Sequence, residues 1–296
     1  MGTATKSKRR QPKGQKLKGP QFTAATADKH VLYQLSVQNV EAEIDFVDAE
    51  FQVLRGRKAV LIREDFCGTG NTSCEWVRRR EGNRALGLDI DRPTLDWGLE
   101  HNIAHLTEEQ ASRVQLLEQD VMHPGDAVGV DCVLGMNFSY WLFKTRDALR
   151  DYFRAVRESL ADDGVLFMDF YGGSEATSEM TEDRPIDAEG DHGPFTYVWD
   201  QAKYNPITGD MRCHISFRFP DKTKLKRAFT YDWRLWTLPE IREILVEAGF
   251  ASVNVYWEGD ELDDDGDETG EGNGVFTATL EGEADPAYIC YIAALK

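Results

Sequence analysis

Residues 60–70, VLIREDFCGTG, run from an apolar stretch through two acids into a Cys-Gly-Thr-Gly turn. The segment behind them, NTSCEWVRRREG (71–82), has the spacing of an amphipathic helix closed by Gly82. That order describes a strand delivering a tight loop to a ligand. Further on, RALGLDID (84–91) is a second short apolar run, and it ends in Asp89, where an α/β nucleotide site places a carboxylate for ribose hydroxyls. Working outward, KHVLYQLSVQNVEAEIDFVDAEFQVL (29–54) predicts two helices broken near Asn39, and RPTLDWGLEHNIAHL (92–106) a helix with Pro near its start. RVQLLEQDV (113–121) reads as a strand ending at Asp120, and DCVLGMNFSYWLF (131–143) as another. TRDALRDYFRAVRESLADDG (145–164) is an amphipathic helix with a Gly stop, and VLFMDFYGG (165–173) is the next strand. Apolar strands alternating with helices predict a doubly wound, mostly parallel sheet covered on both faces, with its ligand beyond the carboxyl ends of the strands. Glu64, Asp89, Asp120 and Asn137 all fall at such ends and are expected to converge on one crevice.

In this order and spacing the chain resembles the class I S-adenosylmethionine-dependent methyltransferases, over residues 28–171 and, through LPEIREILVEAGF (238–250), to about residue 257. The family's first motif is an acid, an apolar residue and then Gly-x-Gly-x-Gly. Here Glu64 takes the acid position and Cys67, Gly68, Thr69 and Gly70 the end of the loop, while Phe66 stands where the first glycine is usual. The resemblance implies S-adenosyl-L-methionine as cofactor, a Rossmann-like fold, and a site made of Glu64, Phe66, Cys67, Gly68, Gly70, Asp89, Ile90, Asp120, Val121 and Asn137. In it Asp89 would hold the ribose, Ile90 would pack on adenine, and Asp120 with Val121 would face the adenine edge. Gly135, Met136 and Asn137 match the segment beside the methionine and the substrate. A dinucleotide enzyme would need Gly-x-Gly-x-x-Gly to cradle a pyrophosphate, whereas REDFCGTG puts two carboxylates where phosphate would come close. Carboxylates suit a ligand bearing an ammonium and a sulfonium.

Past Tyr171 the pattern changes. After a polar connection, FTYVWDQAKY, DMRCHISFRF and KLKRAFTYDWRLW are alternating runs separated by turn signals and predict a three-stranded antiparallel insertion. FASVNVYWEG and AYICYIAAL are expected to pair as the antiparallel closing hairpin of the sheet. The expected organisation is therefore a basic disordered tail (1–27), a cofactor-binding core with cap helices (28–173), a β insertion on the substrate side (174–236), and a closing helix and hairpin (237–296) with an acidic loop at 258–272. The insertion is aromatic-rich. Its Tyr197, Trp199, Tyr231 and Trp233 are candidates for substrate contact or core, and Tyr140, Trp141, Tyr171, Arg234, Trp236 and Asn273 are the substrate-binding candidates. Tyr140, Tyr171 and His214 are candidates for catalysis.

Composition bounds the function. The 296 residues hold 34 basic and 52 acidic side chains. Seven of the basic ones lie in the first twenty residues, which leaves 27 against 52 beyond them, a formal net of −25. Such a body repels phosphate backbones and makes nucleic acid an unfavourable substrate. No apolar run approaches the ~20 residues of a membrane span and no apolar stretch follows the basic N-terminus, so a cytoplasmic location is expected. Five scattered cysteines without C-x-x-C predict reduced thiols and no metal site. The expected function is methyl transfer from S-adenosyl-L-methionine to a small polar substrate bearing an amine or a carboxyl group. An RNA or protein methyltransferase using the basic tail, and a non-catalytic S-adenosylmethionine-binding protein, are the alternatives.

Overall fold

A computed structural model describes residues 22–187, 193–262 and 268–296; the basic stretch at 1–20 and the middle of the acidic run lie outside the described residues. Helices α1 (Lys29–Ser36) and α2 (Val40–Arg55) lead into β1 (Leu61–Asp65), α3 (Asn71–Arg79) and β2 (Arg84–Asp89). Then come α4 (Arg92–His101), the short α5 (Glu108–Ala111), β3 (Val114–Glu118), β4 (Val130–Gly135), α6 (Arg146–Ser159) and β5 (Leu160–Gly172). A second sheet follows, made of β6 (Met180–Ile186), β7 (Phe195–Tyr204), β8 (Asp210–Arg218) and β9 (Lys224–Arg234). Helix α7 (Leu238–Glu247) and strands β10 (Ser252–Leu262), β11 (Glu268–Thr279) and β12 (Tyr288–Leu295) complete the chain.

The main sheet has the order β11-β10-β12-β5-β4-β1-β2-β3, parallel from β5 to β3 and antiparallel at β12, β10 and β11. Strand β1 pairs with both β2 and β4, so the winding reverses there and a crevice opens at the strands' carboxyl ends. Each face is covered because each helix brings an apolar stripe. Ile44, Val47 and Phe51 of α2 and Trp76 and Val77 of α3 bury against one face; Leu149, Tyr152, Phe153 and Val156 of α6 with Ile241, Ile244 and Leu245 of α7 bury against the other. Full burial of such a side chain contributes about 1.5–3 kcal/mol, which sets the helices far more firmly than intrinsic propensity does.

Three expectations are corrected. The insertion has four strands, because the polar MTEDRPI segment pairs with β7 from Met180 to Ile186 as an edge strand that is largely exposed, a place where Pro185 is tolerated. The acidic stretch is not simply a loop: β10 runs to Leu262 and β11 begins at Glu268, so the closing hairpin has a third strand on its outer edge. Residues 22–27 are ordered: Phe22, Ala24 and Ala27 pack on the insertion, and Ala24 N–H donates to Thr223 Oγ1 at 2.9 Å.

Candidate active site

The strand β1 alternates its side chains, and that alternation separates its two acids. Glu64 faces α3, where its Oε2 accepts from Ser73 N–H (2.9 Å) and Ser73 Oγ (2.6 Å) in the helix's first turn, a favourable place for an anion. Burial pushes its carboxyl up to about 7, with the Ser73 bonds opposing the shift. Arg63 and Asp65 face the other way and form a fully buried pair at 2.7 Å. Tyr152 Oη donates to Asp65 at 3.0 Å and Arg63 donates to Ala127 O. The second acid of the motif is thus tied into the core beneath the loop.

Phe66 has φ 58°, the left-handed region that glycine enters without a Cβ penalty, and this explains why glycine is usual there. Its ring packs 5.7 Å from Tyr152 and 6.2 Å from Phe143, so side-chain burial offsets the backbone cost. Gly70 caps α3 at φ 66°, and a Cβ there would meet Leu116 Cδ2 at 2.6 Å. Cys67 is buried under the loop, its thiol pushed up by desolvation, which makes it a packing residue; all five cysteines are buried and free. Asp89 closes the turn by accepting Gly68 N–H (2.8 Å) and Asp91 N–H (2.9 Å).

Two neighbouring cavities meet here. The first, about 330 Å³, is a cleft lined by the motif loop (Glu64 to Thr69), Asp89, Asp91, Thr94, Met136 and Asn137, and roofed by α1 and β9. The second, about 210 Å³, is walled by Phe138, Trp141, Tyr171, Tyr197, Trp199 and Met211, with Glu175, Glu182 and Arg184 among its polar members. Tyr33, Asn137, Tyr231 and Trp233 line both, so the cavities share a wall. Helix α1 is fixed across this junction: Asp28 caps it, Gln34 Nε2 donates to Thr69 Oγ1 at 2.9 Å, and Trp97 Nε1 donates to Asp28 Oδ2 at 2.8 Å.

The predicted residues divide accordingly. Glu64, Phe66, Cys67, Gly68, Asp89 and Asn137 line the cleft, and Trp141 and Tyr171 line the aromatic cavity; burial moves the Tyr171 phenol up to about 12. Ile90 stands 74% exposed beside Asp89. Asp120 accepts Met122 N–H at the surface, and Val121 is buried; none of these three lines the cleft. Tyr140 is fully buried, its hydroxyl donating to Asp169 O, so it is core and reaches neither cavity. His214 projects from the opposite face of β8 to Met211 and Ile215 and bonds Thr230 Oγ1 at 2.9 Å, which removes it from the site. Arg234 donates to Lys144 O and Glu240 while stacking 3.7 Å from Trp236, and the two secure the start of α7. Asn273 shapes the β10–β11 hairpin by donating to Asp260 O and accepting from Val275 N–H.

Asp169 was not anticipated. Buried within β5, it accepts the N–H groups of Asn137 (2.8 Å) and Phe138 (3.0 Å), both left-handed at φ 57° and 55°, and so holds the shared wall. An acid inside the otherwise apolar VLFMDFYGG was the available signal.

No protein-family model and no curated protein matches the chain. Solved structures do. An S-adenosylmethionine-dependent methyltransferase from Clostridium acetobutylicum is similar at TM-score 0.60 and 17% identity, covering 90% of this chain and 96% of the other. CalS10, an amino pentose methyltransferase from Micromonospora echinaspora, is similar at 0.63 and 15% identity, with coverage of 90% and 96%. The sugar N-methyltransferase KedS8 from Streptoalloteichus is similar at 0.59 and 14% identity over 99% of both chains. The chain has the fold of the class I S-adenosylmethionine-dependent methyltransferases.

Proposed function

We propose that the protein transfers a methyl group from S-adenosyl-L-methionine to a small polar acceptor that carries an amine. The single observation that carries this reading is the wall of Tyr33, Asn137, Tyr231 and Trp233 shared by an acid-lined cleft and an aromatic cavity. The cleft fits the cofactor chemically. Asp89 offers acceptor capacity to ribose hydroxyls beside the bonds it makes to Gly68 and Asp91, and Gly68 has no side-chain neighbour nearer than 3.8 Å to the place of a Cβ. Glu64 and Asp91 supply the negative lining that a ligand with an ammonium and a sulfonium requires. Bound there, S-adenosyl-L-methionine supplies an electrophilic methyl group.

The chain's own residues then have three tasks. Asn137 and Phe138, pinned by Asp169, fix the wall at which the two ligands meet. Alignment at such a junction is the main source of acceleration for a straight displacement. Helix α1 and the insertion cover the junction and exclude water. Trp141, Tyr171, Tyr197 and Trp199, with Glu175 and Glu182, offer ring faces and carboxylates to a cation. The amino pentose methyltransferase and the sugar N-methyltransferase of like fold support a small amine acceptor. A cytoplasmic setting belongs to the same reading. Calorimetry with S-adenosylmethionine, S-adenosylhomocysteine and NAD tests it: binding of the first two and not the third is expected, and no binding of either adenosyl ligand would overturn it.

A further inference from the structure

We propose that Arg184 is an anion anchor in the aromatic cavity, so that the acceptor carries an oxyanion, a carboxylate or a phosphate, besides the group that is methylated. This rests on the methyltransferase reading of the same site. In β6 the side chains of Met180, Glu182 and Arg184 share the face that lines the cavity, and Arg184 is the one basic residue among the described residues that line it. The chain has a large excess of acids, and Arg57, Arg63, Arg79, Arg80, Arg113 and Arg146 are each paired with a carboxylate. Arg184, exposed on the edge strand, makes no ion pair with a carboxylate among the described residues, as Arg55 and Arg157 do not, but it alone of these lines the cavity, with Glu182 two positions away on the same strand face.

Its head group is nonetheless held. Nη2 donates to Ser36 O at the C-terminal end of α1, and the guanidinium lies 4.9 Å from the centre of the Tyr197 ring. Only one of its five N–H donors has a partner among the described residues, and the planar fork suits a two-oxygen acceptor. A cation placed in this cavity opposes a plain amine, for which the aromatic rings and two glutamates would suffice. It is complementary to a molecule bearing both charges. Arg184 therefore selects against amines that lack an anionic group.

The test uses protein saturated with S-adenosylhomocysteine, whose own binding is measured first, so that failure of the cofactor reading registers separately. Three matched probes are titrated: ethanolamine, glycine and phosphoethanolamine, which carry no anionic group, a carboxylate and a phosphate. Glycine or phosphoethanolamine should bind at least about tenfold more tightly than ethanolamine, as one charge-assisted contact implies, and the better of the two identifies the oxyanion. In Arg184→Gln the preference should collapse to about unity, through weaker binding of the anionic probes and ethanolamine binding at least as tight as in wild type, and Arg184→Lys should keep part of it. A role for Arg184 confined to docking α1 would weaken all three probes alike. That result, or a wild-type protein binding neither anionic probe more tightly than ethanolamine, overturns the proposal.

Discussion

Replacing Asp65 with Ala should cost about 3–5 kcal/mol, because it leaves the Arg63 guanidinium charged, buried and without its partner. Both side chains are fully buried. Asp65 takes Arg63 Nε at 2.7 Å, Arg63 Nη2 at 3.1 Å and Tyr152 Oη at 3.0 Å, so three donors lose their acceptor in one step. Against a domain stability of about 5–15 kcal/mol this is a fifth or more of the total. The double variant Arg63→Met with Asp65→Leu should behave differently. Removing both charges in favour of apolar side chains is often neutral or stabilising by about 1–4 kcal/mol, less about 1 kcal/mol for the Tyr152 hydroxyl left unpaired. Urea unfolding of the wild type, both single variants and the double gives the full cycle. Because Tyr152 also supports the Phe66 ring and loses its acceptor in both Asp65 variants, S-adenosylhomocysteine affinity should fall in Asp65→Ala and in the double variant alike. An Asp65→Ala protein within about 1 kcal/mol of wild type, or a double variant as unstable as the two singles summed, would refute the reasoning.

Three further outcomes follow from the same geometry. Asp89→Ala should lower S-adenosylhomocysteine affinity by about 1–3 kcal/mol in calorimetry, through the lost ribose acceptor and a loosened Gly68 turn, and an unchanged affinity would remove Asp89 from the site. At position 66, Gly should be more stable than Ala by about 1–2 kcal/mol, since both delete the ring and only Ala meets the left-handed penalty; equal unfolding midpoints would show that the backbone is not constrained there. Burial raises the Glu43 carboxyl to about 7, and its Oε2 has no hydrogen-bond partner among the described residues. The folded chain therefore keeps a proton that the unfolded chain releases between about pH 4.5 and 7, and the stability this confers at acid pH is lost as pH rises through 7. Glu43→Gln should accordingly gain on wild type between pH 5 and pH 8, by up to about 3 kcal/mol in urea unfolding; parallel pH profiles would contradict the shift.

The parts of the site that were legible in the sequence are those written within a few residues of one another. The run from Leu61 to Gly70 encodes a strand, a turn that needs left-handed residues and a helix start. Asp89 is placed relative to it by strand pairing between Asp65 and Leu88. Asp169 escaped notice because its partners, the N–H groups of Asn137 and Phe138, belong to another strand's loop and leave no trace in side-chain identity. Strand β6 escaped because MTEDRPI shows no apolar alternation: both of its faces are largely exposed and only β7 pairs with it. Arg234, Trp236 and Asn273 have residue types common in binding sites, yet composition cannot tell a rim from a helix cap or a hairpin turn.

The aromatic cavity obeys a different rule, since its lining depends on which face of an antiparallel sheet each residue occupies. In the register observed, Glu182, Trp199, Ile215 and Phe229 stand in one row across β6 to β9, and Met180, Gln201, Cys213 and Tyr231 in the next row on the same face. A residue one position away from any of these lies on the other side, which is why His214 is lost to the site while Ile215 lines it. Parity within a strand is visible in the sequence, but the side chosen is fixed only when the sheet docks on α1 and the end of β5. The acid-lined cleft is therefore a local property of one strand-turn-helix unit, whereas the lining of the aromatic cavity is a property of how a separate sheet packs on it. Changes along β6 can reshape the aromatic cavity without disturbing the motif loop, because β6 pairs only with β7 and contributes no residue to the acid-lined cleft.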